Sequence, residues 1–272
     1  MIRLIATDMD GTLLDSRKKL PEGFFRVLRD LQMKRIRFAI ASGRQYYNLL
    51  NYFPPSEAED LFFLADNGAD VFENGTCIFL SEMKQEVLPE IITAIRAVPN
   101  VQPVVCGLKS AYVESTGEWF LKNVKLYYER LEIVPDVLDA ATRDRVCKIA
   151  AFDPENAEER AYPFLKQFSR EFNVVLSGRL WIDFMNPATD KGTGLRFLQN
   201  RLGITPEETM AFGDYLNDAG MMRTCRYSFA MANAHPDLKN LCAYRTESND
   251  ENGVLNAIHR SSSLFISTEE SA

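Results

Sequence analysis

The sequence predicts an α/β protein: a parallel-sheet core with an α+β segment inserted into it. Three observations predict this. Residues 3–69 alternate short apolar runs with an amphipathic stretch, and each run ends in small or polar residues. From Lys84 to Asn186 the pattern changes to mixed helices and alternating strands, and beyond Asn186 the opening pattern returns. At roughly 150 residues per domain, 272 residues allow about two. The expected domains are 1–83 and 187–272 for the two parts of the core, and 84–186 for the insertion.

Arg3–Thr7 is apolar and runs straight into Asp-Met-Asp-Gly-Thr, which reads as a buried strand emptying into a polar loop. A helix follows, with Pro21 suited to its first turn and Phe24, Leu28 and Leu31 spaced i, i+4, i+7. Ile36–Ala41 is a second strand, ending in Ser42-Gly43-Arg44. Leu61–Ala65 is a third, ending in Asp66-Asn67-Gly68. Strand, helix, strand at this spacing is a βαβ unit, so the strands run parallel, and ligands of such sheets bind beyond the carboxyl ends of the strands. Val71–Leu80 reads as a hairpin about Asn74-Gly75.

In the insertion, Val101–Cys106, Ala111–Glu114, Val146–Phe152, Val174–Ser177 and Leu180–Phe184 are expected strands, and Leu88–Val98 and Ala157–Phe168 expected helices. The core resumes with a helix carrying Leu195, Leu198 and Leu202 on one face and Gly203 at its end. Thr205-Pro206-Glu207-Glu208 is a capping box. The strand Thr209–Phe212 leads into Gly213-Asp214-Tyr215-Leu216-Asn217-Asp218. A strand over Tyr227–Met231 and a helix over Asn252–Arg260 follow, and the Ser-rich tail Ser261–Ala272 is expected to fray.

Composition excludes several function classes. A net charge of −7 disfavours binding to a nucleic-acid backbone, because each neutralised phosphate needs a local cation. No apolar run approaches the ~20 residues needed to span a bilayer, and Asp8 interrupts the opening run too early for a signal peptide. Five cysteines, odd in number and without a CxxC pair, read as small apolar fillers in a reducing, cytoplasmic setting. The two histidines rule out a histidine-rich zinc site; His235 reads as a helix-entry residue and His259 as a cation near a helix C-terminus.

The chemistry concentrates at the strand ends. Asp8 and Asp10, two apart, face one side if the chain is still extended there, and close carboxylates repel unless a cation or proton intervenes. An ordinary polar loop is the alternative, but four features weigh against it. Gly11-Thr12 permits a tight turn. Ser42-Gly43 offers a hydroxyl and backbone N–H groups suited to phosphate oxygens. Lys191 lies at a helix start, where the dipole disfavours a cation, so either an anion is nearby or the side chain is solvated. Asp214 and Asp218 follow another parallel strand. Such carboxylates suit a hard cation, Mg²⁺ above others, because it keeps waters and shares phosphate oxygens.

Asp8-Met9-Asp10-Gly11-Thr12-Leu13, Ala41-Ser42-Gly43-Arg44, Lys191 and Gly213-Asp214-x-x-Asn217-Asp218 resemble, in order, the four motifs of the haloacid dehalogenase-like phosphohydrolases. The inserted segment resembles the large α+β cap of the Cof-type group, and Asn67-Gly68-Ala69 adds to the likeness. The resemblance implies a Rossmann-like core and a Mg²⁺-dependent phosphatase for a small phosphorylated metabolite, such as a sugar phosphate or phosphorylated cofactor. It implies that Asp8 is the nucleophile forming an aspartyl-phosphate. Asp10 would protonate the leaving alcohol and then activate water. Asp8, Asp214 and the Asp10 carbonyl would bind the metal, and Asp218 would position its waters. Met9, Ser42, Gly43, Lys191 and Asn217 would hold the phosphoryl oxygens. A phosphomutase using the same Asp8 and a non-catalytic sugar-phosphate sensor are the alternatives. Tyr215 departs from the family's smaller residue and is expected to pack over the loop. Arg44 is expected to pair locally, and Trp119 and Trp181 to pack in a core or interface.

Overall fold

Strand β1, Leu4–Asp8, is buried over its whole length, as a strand covered on both faces must be. β2, Arg37–Ala41, and β3, Leu61–Ala65, extend the sheet in parallel. The connecting helix Phe24–Met33 buries Phe24, Val27, Leu28 and Leu31, each burial worth about 1.5–3 kcal/mol. Pro21 precedes this helix instead of opening it: Gly23, at φ 84°, makes the entry, and Pro21 O accepts from Phe24 N. β4, Asp70–Glu73, and β5, Thr76–Leu80, form the hairpin. Asn74 and Gly75 both have positive φ, at 49° and 75°, the requirement of a type I′ turn.

The chain then builds a second sheet from β6, Gln102–Gly107, β7, Ala111–Val113, β8, Leu131–Ile133, β9, Val146–Phe152, β10, Asn173–Gly178, and β11, Trp181–Met185. Its spatial order is β10-β11-β9-β6-β7-β8. Period-two alternation serves both faces. Val105, Ile149, Ala151 and Phe184 pack with Ile91, Ile92 and Ile95 of the helix Leu88–Arg96. Val104, Ala150, Phe152 and Trp181 pack with Phe120 and Val124 of the helix Glu118–Val124. The helix expected over Ala157–Phe168 is confined to Tyr162–Leu165 and continues as a 3-10 turn, Lys166–Arg170. Asn156 Oδ1 accepts from the N–H groups of Glu158 and Glu159, turning the chain, and Pro163 fits only a first helical turn.

β12, Thr209–Gly213, β13, Tyr227–Ala230, and β14, Tyr244–Arg245, complete the first sheet, whose order is β14-β13-β12-β1-β2-β3-β4-β5. The structure, a computed structural model, describes residues 1–265. Of the tail expected to fray, Ser262–Leu264 forms a 3-10 turn and Phe265 bridges to Ile2; residues 266–272 lie outside the described residues. The chain divides into two compact units. One comprises Met1–Ser42, Tyr52–Phe79 and the chain from Asp190 onward; the other comprises Gly43–Asn51 and Leu80–Thr189. The second unit thus takes in a short segment, 43–51, which the sequence reading assigns to the core. Among the described residues no helix is long and apolar enough to cross a membrane, and all five cysteines are free thiols.

Candidate active site

The register of the first sheet delivers the predicted acids to one edge. Asp8 ends β1 and pairs with Ala41, one residue before Ser42; Thr7 pairs with Phe212, two residues before Asp214. Lys191 opens the helix Lys191–Leu202, whose capping box joins Asp190 and Thr193. Its side chain is fully buried, not solvated, and its Nζ donates to Asp8 Oδ1 at 2.5 Å and to Asp218 Oδ1 at 2.6 Å. The anions that its placement against the helix dipole calls for are those two carboxylates.

Asp218 is fully engaged. Its second oxygen, Oδ2, accepts from the backbone N–H of Asp214 at 3.0 Å and of Tyr215 at 3.1 Å, which fixes the loop around it. Asp214 Oδ1 accepts from Thr12 Oγ1 at 3.2 Å. Gly11, at φ 82°, makes the turn that brings this about, and a Cβ there would stand 2.3 Å from Asp214 Oδ2. The approach therefore requires glycine. At the helix start the same holds for Gly220, where a Cβ would overlap the Asp190 carboxylate.

Burial pushes the Asp8 carboxyl well above its ordinary value; Lys191 opposes the shift, while Asp218, Asp214 and Asp10 add to it. Burial alone would lower the Lys191 ammonium, but Asp218 and Asp8 outweigh it and hold it above an ordinary lysine. Burial and then Asp218 raise Asp214 to about 7, against Lys191 and Thr12. The site therefore holds more negative charge than one lysine neutralises. Asp8 Oδ2 is buried without a hydrogen-bond partner. Asp8, Asp214 and Asp218 each offer an oxygen within 4.8 Å of the others. These are hard donors at a separation a divalent cation spans, and the open oxygens belong to Asp8 and Asp214, since Asp218 is already engaged. The residues fit Mg²⁺.

Other predicted residues are more dispersed. The Asp10 carboxylate lies outside this cluster and accepts from Lys18 Nζ at 2.7 Å. Ser42 is buried; its N–H donates to Leu64 O, and its carbonyl accepts from Asn67 N at 2.8 Å. Asn217 Nδ2 donates to Asn67 Oδ1 at 3.1 Å, so the Asn67-Gly68-Ala69 stretch supports the fourth motif directly. Met9 is buried. Gly43 belongs to the second unit, where its carbonyl accepts from Lys148 Nζ at 2.9 Å. Sequence reasoning missed the loop after β13. There Asn233 Nδ2 donates to Gly11 O at 2.8 Å and His235 N donates to Asp214 O at 2.8 Å. The strand-end rule that found the other loops points to this one as well. His235 is the helix-entry residue expected, its Nδ1 accepting from Asp237 N. Tyr215 packs edge-on against His235, ring centroids 5.8 Å apart, and remains 40% exposed.

The sequence model of haloacid dehalogenase-like hydrolases matches residues 5–258. An Escherichia coli protein named 5-amino-6-(5-phospho-D-ribitylamino)uracil phosphatase YbjI is 34% identical over 95% of this chain and 96% of its own length. The crystal structure of SMU.1108c from Streptococcus mutans superposes with a TM-score of 0.87 at 30% identity, covering 97% of this chain and all of that one. A haloacid dehalogenase-like hydrolase from Bacteroides thetaiotaomicron gives 0.82 at 26% identity, over 96% and 99%.

Proposed function

Because the chain belongs to the haloacid dehalogenase-like hydrolases, we propose that it cleaves a small phosphomonoester through an aspartyl-phosphate on Asp8, with Mg²⁺ as cofactor. Phosphoric monoester hydrolysis itself follows from the family and from relatives named phosphatases. The observation that carries the finer reading is Lys191, buried between Asp8 and Asp218, beside an Asp8 oxygen that has no partner. A carboxylate so held is aimed and only half neutralised, which suits attack on phosphorus more than a passive ion pair.

Asp8 and Asp214, with the Asp10 carbonyl, would hold Mg²⁺, which when bound would neutralise charge between the carboxylates and a phosphate dianion. An Asp8 oxygen attacks phosphorus, the P–O ester bond breaks, and Asp10 gives its proton to the departing alkoxide. Asp10 then takes a proton from water as the water oxygen attacks phosphorus, releasing inorganic phosphate and restoring Asp8. Lys191 holds Asp8 in line and balances charge on the phosphoryl oxygens, with Ser42, Asn217 and the backbone of Met9 and Gly43 as further donors. Asp10 leaves Lys18 to do this, an exchange between two hydrogen bonds at a part-exposed position. The substrate is read as a phosphorylated sugar, polyol or cofactor, the class to which the E. coli relative's named substrate belongs.

Assay of the purified chain against a phosphorylated-metabolite panel, with Mg²⁺ and with EDTA, tests the proposal. Release of phosphate that EDTA does not suppress would overturn the metal assignment, and mutase products without phosphate release would overturn hydrolysis. Independently of turnover, Mg²⁺ at about a hundred times its Kd is expected to stabilise the fold by roughly 2.7 kcal/mol. Calorimetric melting checks this, and Asp214→Asn is expected to remove most of the shift.

Asp10→Asn separates the two chemical steps. A nitrophenolate leaves without a proton, so formation of the phosphoenzyme from a nitrophenyl ester is expected to slow much less than from an alkyl phosphate. Rapid-quench measurement of both reads this out, and equal slowing would remove Asp10 from the acid role.

A further inference from the structure

Just past β3 the backbone is left-handed at three successive residues. Asp66, Asn67 and Gly68 have φ of 45°, 58° and 79°, a region that even glycine, asparagine and aspartate ordinarily visit one residue at a time. All three are buried. Such a run persists only where its surroundings hold it, and here the surroundings are the elements that carry the second, third and fourth motifs. Asn67 N donates to Ser42 O at 2.8 Å and Ser42 N to Leu64 O at 2.9 Å, so the turn and Ser42 fasten each other. Gly68 lies against the start of the helix Lys191–Leu202, where a Cβ would stand 2.5 Å from Asp190 O and 2.9 Å from Lys191 Cα. The Asn67 side chain reaches the fourth motif, its Oδ1 accepting from Asn217 Nδ2 at 3.1 Å. Ser42, Lys191, Asn217 and the turn all belong to the first unit.

The last of these bonds is unusual for its residue type. An asparagine in a turn ordinarily directs its side-chain oxygen to backbone N–H groups a few positions away. This one is 2% exposed and serves a side chain 150 positions along the sequence. The consequence falls on the Asn217 amide. The bonds from Asp214 N and Tyr215 N to Asp218 Oδ2 fix the backbone of that loop, but they leave the amide free to present either its oxygen or its nitrogen. Asn67 Oδ1 only accepts, so it holds the nitrogen end in place. Among the described residues Asn217 Nδ2 donates to nothing else, and its second N–H stays open in the same plane. Asn217 itself is only half-buried.

We propose that Asn67 is a positioning residue: it locks the Asn217 amide with one N–H open to a phosphoryl oxygen, and the left-handed turn is what brings the acceptor to it. That the amide serves phosphoryl oxygens rests on the phosphatase reading; that Asn67 fixes the amide does not.

Asn67→Gly separates the side chain from the turn, because glycine adopts the same φ without strain. With the full chain and Mg²⁺, Asn67→Gly, Asn217→Ala and the double variant form a cycle, measured by turnover of nitrophenyl phosphate and by isothermal titration with inorganic phosphate. Asn217→Ala is expected to weaken phosphate binding and raise KM by about tenfold or more, as loss of a hydrogen bond to a charged group does. Asn67→Gly is expected to cost about fivefold in the same two quantities, and the double variant to match Asn217→Ala within about twofold. A merely structural Asn67 would lower the melting temperature and multiply its effect onto that of Asn217→Ala. That result, or phosphate affinity unchanged by Asn67→Gly, would overturn the proposal. A second readout needs no substrate. Nuclear magnetic resonance of the Asn217 side-chain amide is expected to show an ordered group in the parent and in Asn67→Asp, which keeps an acceptor and tolerates the turn, and a mobile one in Asn67→Gly. An amide of equal order in all three would overturn the proposal. If the parent released phosphate from no ester, the phosphatase reading would fall, while loosening of the amide in Asn67→Gly alone would still uphold Asn67 as the residue that fixes it.

Discussion

Asp8→Asn is expected to lower phosphatase turnover at least about 10³-fold while leaving the fold intact, as removal of other covalent catalysts does. Asn is nearly isosteric and its Oδ1 still accepts from Lys191, so the end of β1 and its pairing with Ala41 are retained. What disappears is the anionic oxygen. The variant also removes a carboxyl that burial makes costly to ionise, so its melting temperature is expected to equal or exceed that of the parent. Steady-state assay beside calorimetric melting checks both halves. A well-folded variant retaining more than a trace of Mg²⁺-dependent activity would remove Asp8 from the nucleophilic role.

Lys191→Met is expected to be both inactive and unstable. The lysine is fully buried between Asp8 and Asp218, and removing one partner of a buried ion pair typically costs about 3–5 kcal/mol, because the remaining charges lose their compensation. For a chain of this size each kcal/mol moves the melting temperature by roughly 2–4 °C, so a fall of about 10 °C is expected. Mg²⁺ bound at Asp8 would compensate one of these two carboxylates, so its addition should restore part of the stability but not the activity. A variant as stable as the parent in the absence of metal would show that the ion pair contributes little.

Much of the site was legible because it is written at strand ends. A buried parallel strand reads as an apolar run, and Asp8, Ser42 and Asp214 each follow one, so the sheet rule brings them to a common edge without knowledge of any distance. Lys191 was legible as an anomaly of helix electrostatics, but its complete burial was not, since that depends on how the loop of Asp214 and Asp218 closes over it. The pairing of Asp10 with Lys18 was also hidden; it rests on a left-handed turn at Lys18, φ 60°, at a residue type that seldom adopts one. In the insertion, helices as short as Glu118–Val124 and Val137–Ala141 span too few turns to show a period, and β8 has three residues. Segment 43–51 joins the second unit through contacts such as Arg44 to Leu126, which no local pattern announces.

Trp119 and Trp181 are the only tryptophans in the chain, and both belong to one aromatic group in one unit. Intrinsic emission excited at the indole band therefore comes from the second unit alone, whereas far-ultraviolet dichroism sums the backbone of both. Followed side by side through a urea or thermal melt, the two signals give each unit its own unfolding curve from an unlabelled protein. Coincident midpoints would mean that the parallel sheet and the inserted sheet collapse as one cooperative body, and separated midpoints that each keeps its own stability.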